Sequence, residues 1–161
     1  MLIQLSNWVN SLPISISMRK ITWLIPLLQI FHIFSLGMIL SSIVMINMRL
    51  WGVSHGQTAI ASSRQFLPWI WWALAVATLS GIALMVGAPR SWRDSIFVAK
   101  LVLIAAATVV TLTVPLLLRI NKTDGKEGLG FAAIAGALAL VLWMGATLAG
   151  RGRWIAGWLG I

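Results

Sequence analysis

Residues Ile21–Met48, ITWLIPLLQIFHIFSLGMILSSIVMINM, decide the fold: the run carries no Asp, Glu, Lys or Arg and is continuously apolar rather than alternating. A helix needs about 20 such residues to cross the hydrocarbon of a bilayer, and only a helix or a closed barrel satisfies its backbone polar groups there. Continuity favours the helix, since barrel strands alternate. Three more runs repeat the pattern, at about 68–87, 95–118 and 129–148. The expected fold is all-α: one integral membrane domain over residues 1–161, a four-helix bundle preceded by an amphipathic helix lying in the interface.

Composition agrees. Mean hydropathy is +0.95, 60% of the residues are hydrophobic and 9% are charged, whereas soluble domains carry about 25% charged residues. The net charge of +9 resides in short segments beside the spans, where lysine and arginine meet lipid phosphate or anionic cofactor groups rather than nucleic acid. The absence of cysteine rules out disulfides, thiolate metal sites and the usual iron–sulfur clusters. The expected partners are the lipid bilayer and other membrane subunits or further copies of the chain, with no nucleic acid. Four spans put both termini on one side, taken as cytoplasmic, although six basic residues beside that side face five on the other and the charge rule needs an asymmetry.

The first residues lack the basic start and small-residue cleavage site of a secretory signal. Leu2, Leu5, Trp8, Val9 and Leu12 recur at helical spacing among Gln4, Ser6, Asn7 and Asn10, which predicts an interfacial helix over 1–13 with Pro13 as its stop. Gln29 and His32 share a face of the first span, continued by Ser35 and Ile39, while Gly37 and Ser41 form a small-xxx-small pair for close packing. His55 belongs to a polar loop, Trp51–Phe66. Trp69, Trp71 and Trp72 mark an aromatic belt. In the third span Leu103, Ile104, Ala107 and Thr111 share the face of Lys100, and Pro115 kinks or ends the helix. Ala132 and Gly136 offer a close-packing face on the fourth.

Two ionisable residues interrupt the spans, His32 and Lys100, and intramembrane ionisable groups are expensive unless they face a partner inside the bundle. At about 1.5 Å per residue, Lys100, Ser80, Met144 and His32 all lie about 8–16 Å inside the boundary on the side of the termini. Arg90, Arg93, Arg151 and Arg153 lie above them. This set suits a haem: His32 as metal ligand, Met144 or Lys100 as second ligand or support, Ser80 beside them, and the arginines holding propionates. A plainer reading stands beside it, in which His32 hydrogen-bonds Gln29, Ser35, Thr78 or Ser80, Lys100 snorkels to the interface, and Met144 only packs.

The order Pro26, His32, Gly37 and then Asn47-Met48-Arg49-Leu50-Trp51-Gly52 resembles the P…H…G…DLRLLG pattern of an uncharacterised family of small four-helix bacterial membrane proteins. Leu67-Pro68-Trp69, Ser80-Gly81 and Phe97-Val98-Ala99-Lys100-Leu101 continue the likeness, which covers Ser11 to Leu148. Asn47 stands where that family usually carries Asp. More distantly, His32, Arg49 and Lys100 resemble residues of the small membrane protoporphyrinogen oxidases, which bind haem b. The resemblance implies a haem b-binding redox protein of the bacterial cytoplasmic membrane, active in electron transfer or small-molecule oxidation. Copper-resistance membrane domains share similar bundles, but their multiple Met and His residues are missing. The alternatives are a non-catalytic accessory subunit of a larger membrane complex and a small transporter.

Overall fold

A computed structural model of the chain describes residues 2–53, 58–87, 95–120 and 126–149. These residues form six helices: α1 (Leu2–Ser11), α2 (Pro13–Lys20), α3 (Leu24–Leu50), α4 (Ala59–Gly87), α5 (Ser95–Ile120) and α6 (Lys126–Ala149). The last four are long and apolar enough to span a membrane, and the chain is a multi-pass membrane protein.

The distribution of side chains explains why lipid is the surrounding solvent. Bulky apolar residues point outward on every span, with Phe34 70% and Trp72 73% exposed, and Leu79, Val109, Ile134 and Val141 similarly placed. The interior mixes small and hydroxylated residues, Ser35, Ser42, Ser80, Ala73, Ala77, Ala107, Ala132 and Ala139, with bulky ones such as Ile39, Ile43, Ile70, Val114 and Trp143. Lipid tails are as apolar as leucine, so helices in a bilayer associate through close packing and polar contacts, and the small residues let the backbones approach. Several buried hydroxyls of the spans are satisfied within their own helices. Ser35 donates to the Phe31 carbonyl at 2.7 Å, Ser42 to Met38 at 2.7 Å and Thr111 to Ala107 at 2.7 Å, the back-bonding that lets serine and threonine sit inside a helix.

Two helical hairpins build the bundle. α3 packs along α4 and α5 along α6; the hairpins join through α3 and α6, while α4 and α5 touch much less. Asn47 pins the join, and Trp143 pins the second hairpin. Asn47 is wholly buried, and its amide donates to the carbonyls of Ile43, one turn back, and of Gly136 on α6, each at 3.0 Å. A Cβ on Gly136 would fall on the Asn47 amide oxygen and 3.2 Å from Leu50 Cδ1. Only glycine lets the two backbones approach this closely. Trp143, 2% exposed, fills the centre of the α5–α6 contact and donates from Nε1 to Thr111 Oγ1 at 3.1 Å.

The structure corrects several expectations. The first helix ends at Ser11, just before Pro13, but Pro13 also opens a second helix, α2, because a proline at the first helical position gives up only an N–H that has no intrahelical acceptor. The preceding Leu12 is extended (φ −64°, ψ 139°), the conformation proline imposes on its neighbour. The pair packs onto the near end of the bundle, where Ser15 donates to the Val86 carbonyl at 2.8 Å and so caps one of the free carbonyls at the end of α4. Arg19 is held by the side chain and carbonyl of Asn10, and Trp8 is 60% exposed.

The second span begins at Ala59, not Pro68, which lies inside α4, and α5 runs through Pro115 to Ile120. The loop expected at Trp51–Phe66 therefore ends by Thr58, and neighbouring helices support the two proline-interrupted turns. Gly37 and Ser41 are exposed, and nothing lies within 4 Å of a Cβ at Gly37. The close-packing glycine is Gly136 instead.

Candidate functional site

His32 lies two turns into α3 on the face that meets α4, half-buried. Its Nδ1 is 3.0 Å from the Ala77 carbonyl and 3.0 Å from Ser80 Oγ. A carbonyl can only accept, so Nδ1 carries the proton. Ser80 donates its own hydrogen to the Val76 carbonyl at 2.6 Å, with Ala77 at 3.1 Å, which leaves its oxygen to accept from the imidazole. In the neutral ring Nε2 then keeps its lone pair, and it makes no hydrogen bond among the described residues. Gly81 completes the seat: a Cβ there would stand 3.3 Å from His32 Cε1 and 3.7 Å from Nδ1.

Helix register shows which other residues share this level. Leu103 of α5 lies against Gly145 of α6. Counted from the Asn47–Gly136 bond, Gly145 is level with Met38 of α3. Lys100, three residues nearer the side of the termini, comes level with Ser35, one turn from His32. Lys100 is half-buried, and the stripe predicted with it is real, since Ala107 and Thr111 are buried while Leu103 and Ile104 are partly so.

The remaining candidates among the described residues do not join this site. Met144 is 50% exposed on α6, beside the buried Trp143, and by the same register it is level with Ile39, about 10 Å from His32 toward the opposite face. Depth counted from predicted span ends had placed the two together; α3 begins at Leu24 and α6 enters from Lys126, which separates them. Gln29 is exposed, and of the four polar partners considered for His32, Ser80 is the one bonded. Arg49 sits in the last turn of α3, where its charge complements the helix dipole, about 25 Å along the helix from His32. One of its guanidinium nitrogens is buried without a partner among the described residues. Arg90, Arg93, Arg151 and Arg153 lie outside the described residues, as does His55.

Two residues passed over as candidates organise the other half of the bundle. Asn47, taken as a span end, and Trp143, never singled out, form the polar contacts between helices. Only the Asn amid aliphatics could have signalled the first.

No family model, curated protein or solved structure matches the chain. The functional reading therefore rests on the site itself.

A haem fits this site in part. A histidine whose Nδ1–H is fixed by a backbone carbonyl presents Nε2 in the orientation and tautomer of a metal ligand. Met144, by level and exposure, does not fit as the second ligand. Among the described residues no group of three or more His, Asp or Glu side chains could hold a bare metal ion.

Proposed function

We propose that the chain is a haem b-binding redox protein of a bacterial cytoplasmic membrane, with His32 as its single protein ligand. The observation that carries the reading is the commitment of Nδ1–H to the Ala77 carbonyl, which leaves the Nε2 lone pair for a metal. When bound, the haem would supply one-electron chemistry. The residues have separate tasks: Ala77 and Ser80 set the tautomer and plane of the ring, Gly81 keeps space beside it, and Lys100 offers a positive charge to a propionate at the same level. A charge one turn away is preferable to a neutral partner here, because an anionic group brought into this leaflet needs compensation.

The test is the visible spectrum of protein purified from its native membrane. A Soret band that disappears in His32→Ala, with helical content retained, supports the reading. Absence of the band in the unaltered protein, or its survival in His32→Ala, overturns it.

A second reading, a non-catalytic subunit of a larger membrane complex, is favoured by one observation: no second ligand stands at the level of His32 among the described residues. In that case His32 Nδ1 and Ser80 are a helix-pairing contact. Native mass measurement after mild extraction distinguishes the two, since a subunit co-purifies with a partner and carries no chromophore.

A further inference from the structure

The four spans close unevenly: α3 and α4, α5 and α6, and α3 and α6 pack along one another, whereas α4 and α5 barely touch. Two shallow grooves lie end to end along that seam. The outer one is bordered by Ile60, Arg64 and Leu118, the inner one by Val114, and both by Leu67 and Pro115. The hydroxyls beside them are already used, since Ser63 donates to the Ile60 carbonyl at 2.8 Å and Thr111 to that of Ala107 at 2.7 Å. The seam therefore presents hydrocarbon along its length and a single charge, the Arg64 guanidinium, at its outer end.

Arg64 is exposed and has no hydrogen bond or ion pair among the described residues, and no carboxylate borders either groove. Arginine cannot shed its charge, so on a membrane-spanning helix it needs an anion beside it. It lies about 34 Å along α4 from Gly87, the last residue of that helix, against about 30 Å of hydrocarbon. With Gly87 at one boundary, the guanidinium falls at headgroup depth on the face opposite the termini, the far face. Ile60, Arg64, Leu67 and Trp71 recur at helical spacing on one side of α4, and Trp71, two turns inside the cation, is 49% exposed. From the far face inward, a cation at phosphate depth is thus followed by an apolar track toward the midplane.

A phospholipid of the far leaflet carries its groups in the same order, phosphate outermost and acyl chain inward. We propose that the α4–α5 seam binds one anionic phospholipid of the far leaflet, with its phosphate on the Arg64 guanidinium and one acyl chain lying along Leu67, Pro115 and Leu118. Guanidinium and phosphate pair through charge-assisted hydrogen bonds. A net negative headgroup is preferred to a zwitterionic one, because the lining holds no carboxylate to receive the ammonium of the zwitterion. The outer groove holds about 20 Å³ and the inner about 10 Å³, so the chain lies along the seam with successive methylenes seated in it and does not enter the core. A helix of a second copy, about 10 Å across, cannot follow so narrow a track. Arg64 is about 24 Å along α4 from Ser80, the partner of His32, and the lipid site does not depend on the haem reading.

The test uses the full chain, methyl-labelled at Ile, Leu and Val, in nanodiscs of equal parts phosphatidylglycerol and phosphatidylcholine. Nuclear Overhauser cross-peaks from lipid methylenes to Val114 and Leu118 are expected, although these are only 4% and 5% exposed. Val109, 61% exposed, should show such a peak and Ile39, 0% exposed, should not. Absence of the Val114 and Leu118 peaks beside a Val109 peak overturns the site, as does an equal peak at Ile39. Leu67→Trp, which fills the track with an indole, should remove both seam peaks; their persistence in folded protein overturns the assignment.

The headgroup is tested separately by releasing the chain from the same nanodiscs in a mass spectrometer. The unaltered chain should retain one phosphatidylglycerol in about fivefold preference to phosphatidylcholine, the share of one basic residue near an anionic headgroup. Arg64→Gln should abolish that preference, and Lys20→Gln, an exposed cation near the termini, should keep it. Equal retention of the two lipids by the unaltered chain, a preference that survives Arg64→Gln or is lost equally in Lys20→Gln, or a dimer carrying no lipid, overturns the proposal.

Discussion

The two polar centres of this bundle are built on opposite plans. Around Asn47, Gly136, Thr111 and Trp143 the side chains are buried, the Asn47 bond runs between the two hairpins while the Trp143 bond locks the second one, and a single Cβ at Gly136 has no room. Around His32 the ring is half-buried, its bonds stay inside one hairpin, and one nitrogen is unused. The first arrangement determines whether four helices become one bundle. The second can lose its polar group and leave the architecture standing. Assembly and the proposed chemistry therefore fall at different ends of α3, and substitutions at the two ends should differ in kind.

The largest effect is expected for Trp143→Ala, which empties the centre of the α5–α6 contact and removes the Thr111 bond; a loss of about 3–5 kcal/mol should appear as a collapse of the thermal midpoint in detergent. Gly136→Ala comes next. Its methyl group must displace the Asn47 amide, and overpacking of this kind costs about 1–3 kcal/mol, read as a lower midpoint with unchanged helical content before unfolding.

His32→Ala should cost less than either, about 0.6 kcal/mol, the average for a side-chain hydrogen bond between membrane helices. If it unfolds the protein as fully as Trp143→Ala does, the contrast between the two centres is broken. The smallest effect on stability is expected for Gly81→Ala, a few tenths of a kcal/mol, because its methyl group meets the edge of the His32 ring at a distance that a small tilt relieves. The same change should shift the imidazole ¹⁵N resonances of His32, and unchanged resonances would show that Gly81 does not seat the ring.

What could be read without coordinates was the part fixed by solvent. Uninterrupted apolar runs announced four spans, because the bilayer tests every residue of a run alike. The buried stripe of Ala107 and Thr111 and the small faces of Ala132 and Gly136 followed from helical period. Level between helices was not legible: it depends on where each helix begins, and hydropathy misplaced Ala59 by more than two turns because Ser62, Ser63 and Arg64 read as loop. Met144 was drawn to His32 by a like error in where α3 and α6 begin. Glycines were ambiguous for a related reason. Gly37 and Gly136 look alike in sequence, and only the presence of Asn47 opposite one of them makes it a contact.

The Asn47–Gly136 bond also has a bearing on how the chain is made. Its partners are 89 residues apart, and ribosomes add about 5–20 residues per second, so about 4–18 s separate the synthesis of the asparagine from that of the carbonyl it will meet. During that interval the first hairpin carries a primary amide among lipid tails with only one of its two acceptors in place. A newborn chain in this state displays a polar handle that the finished protein conceals. Cellular machinery that surveys membranes for unassembled helices would find there the one mark distinguishing a half-built bundle from a complete one.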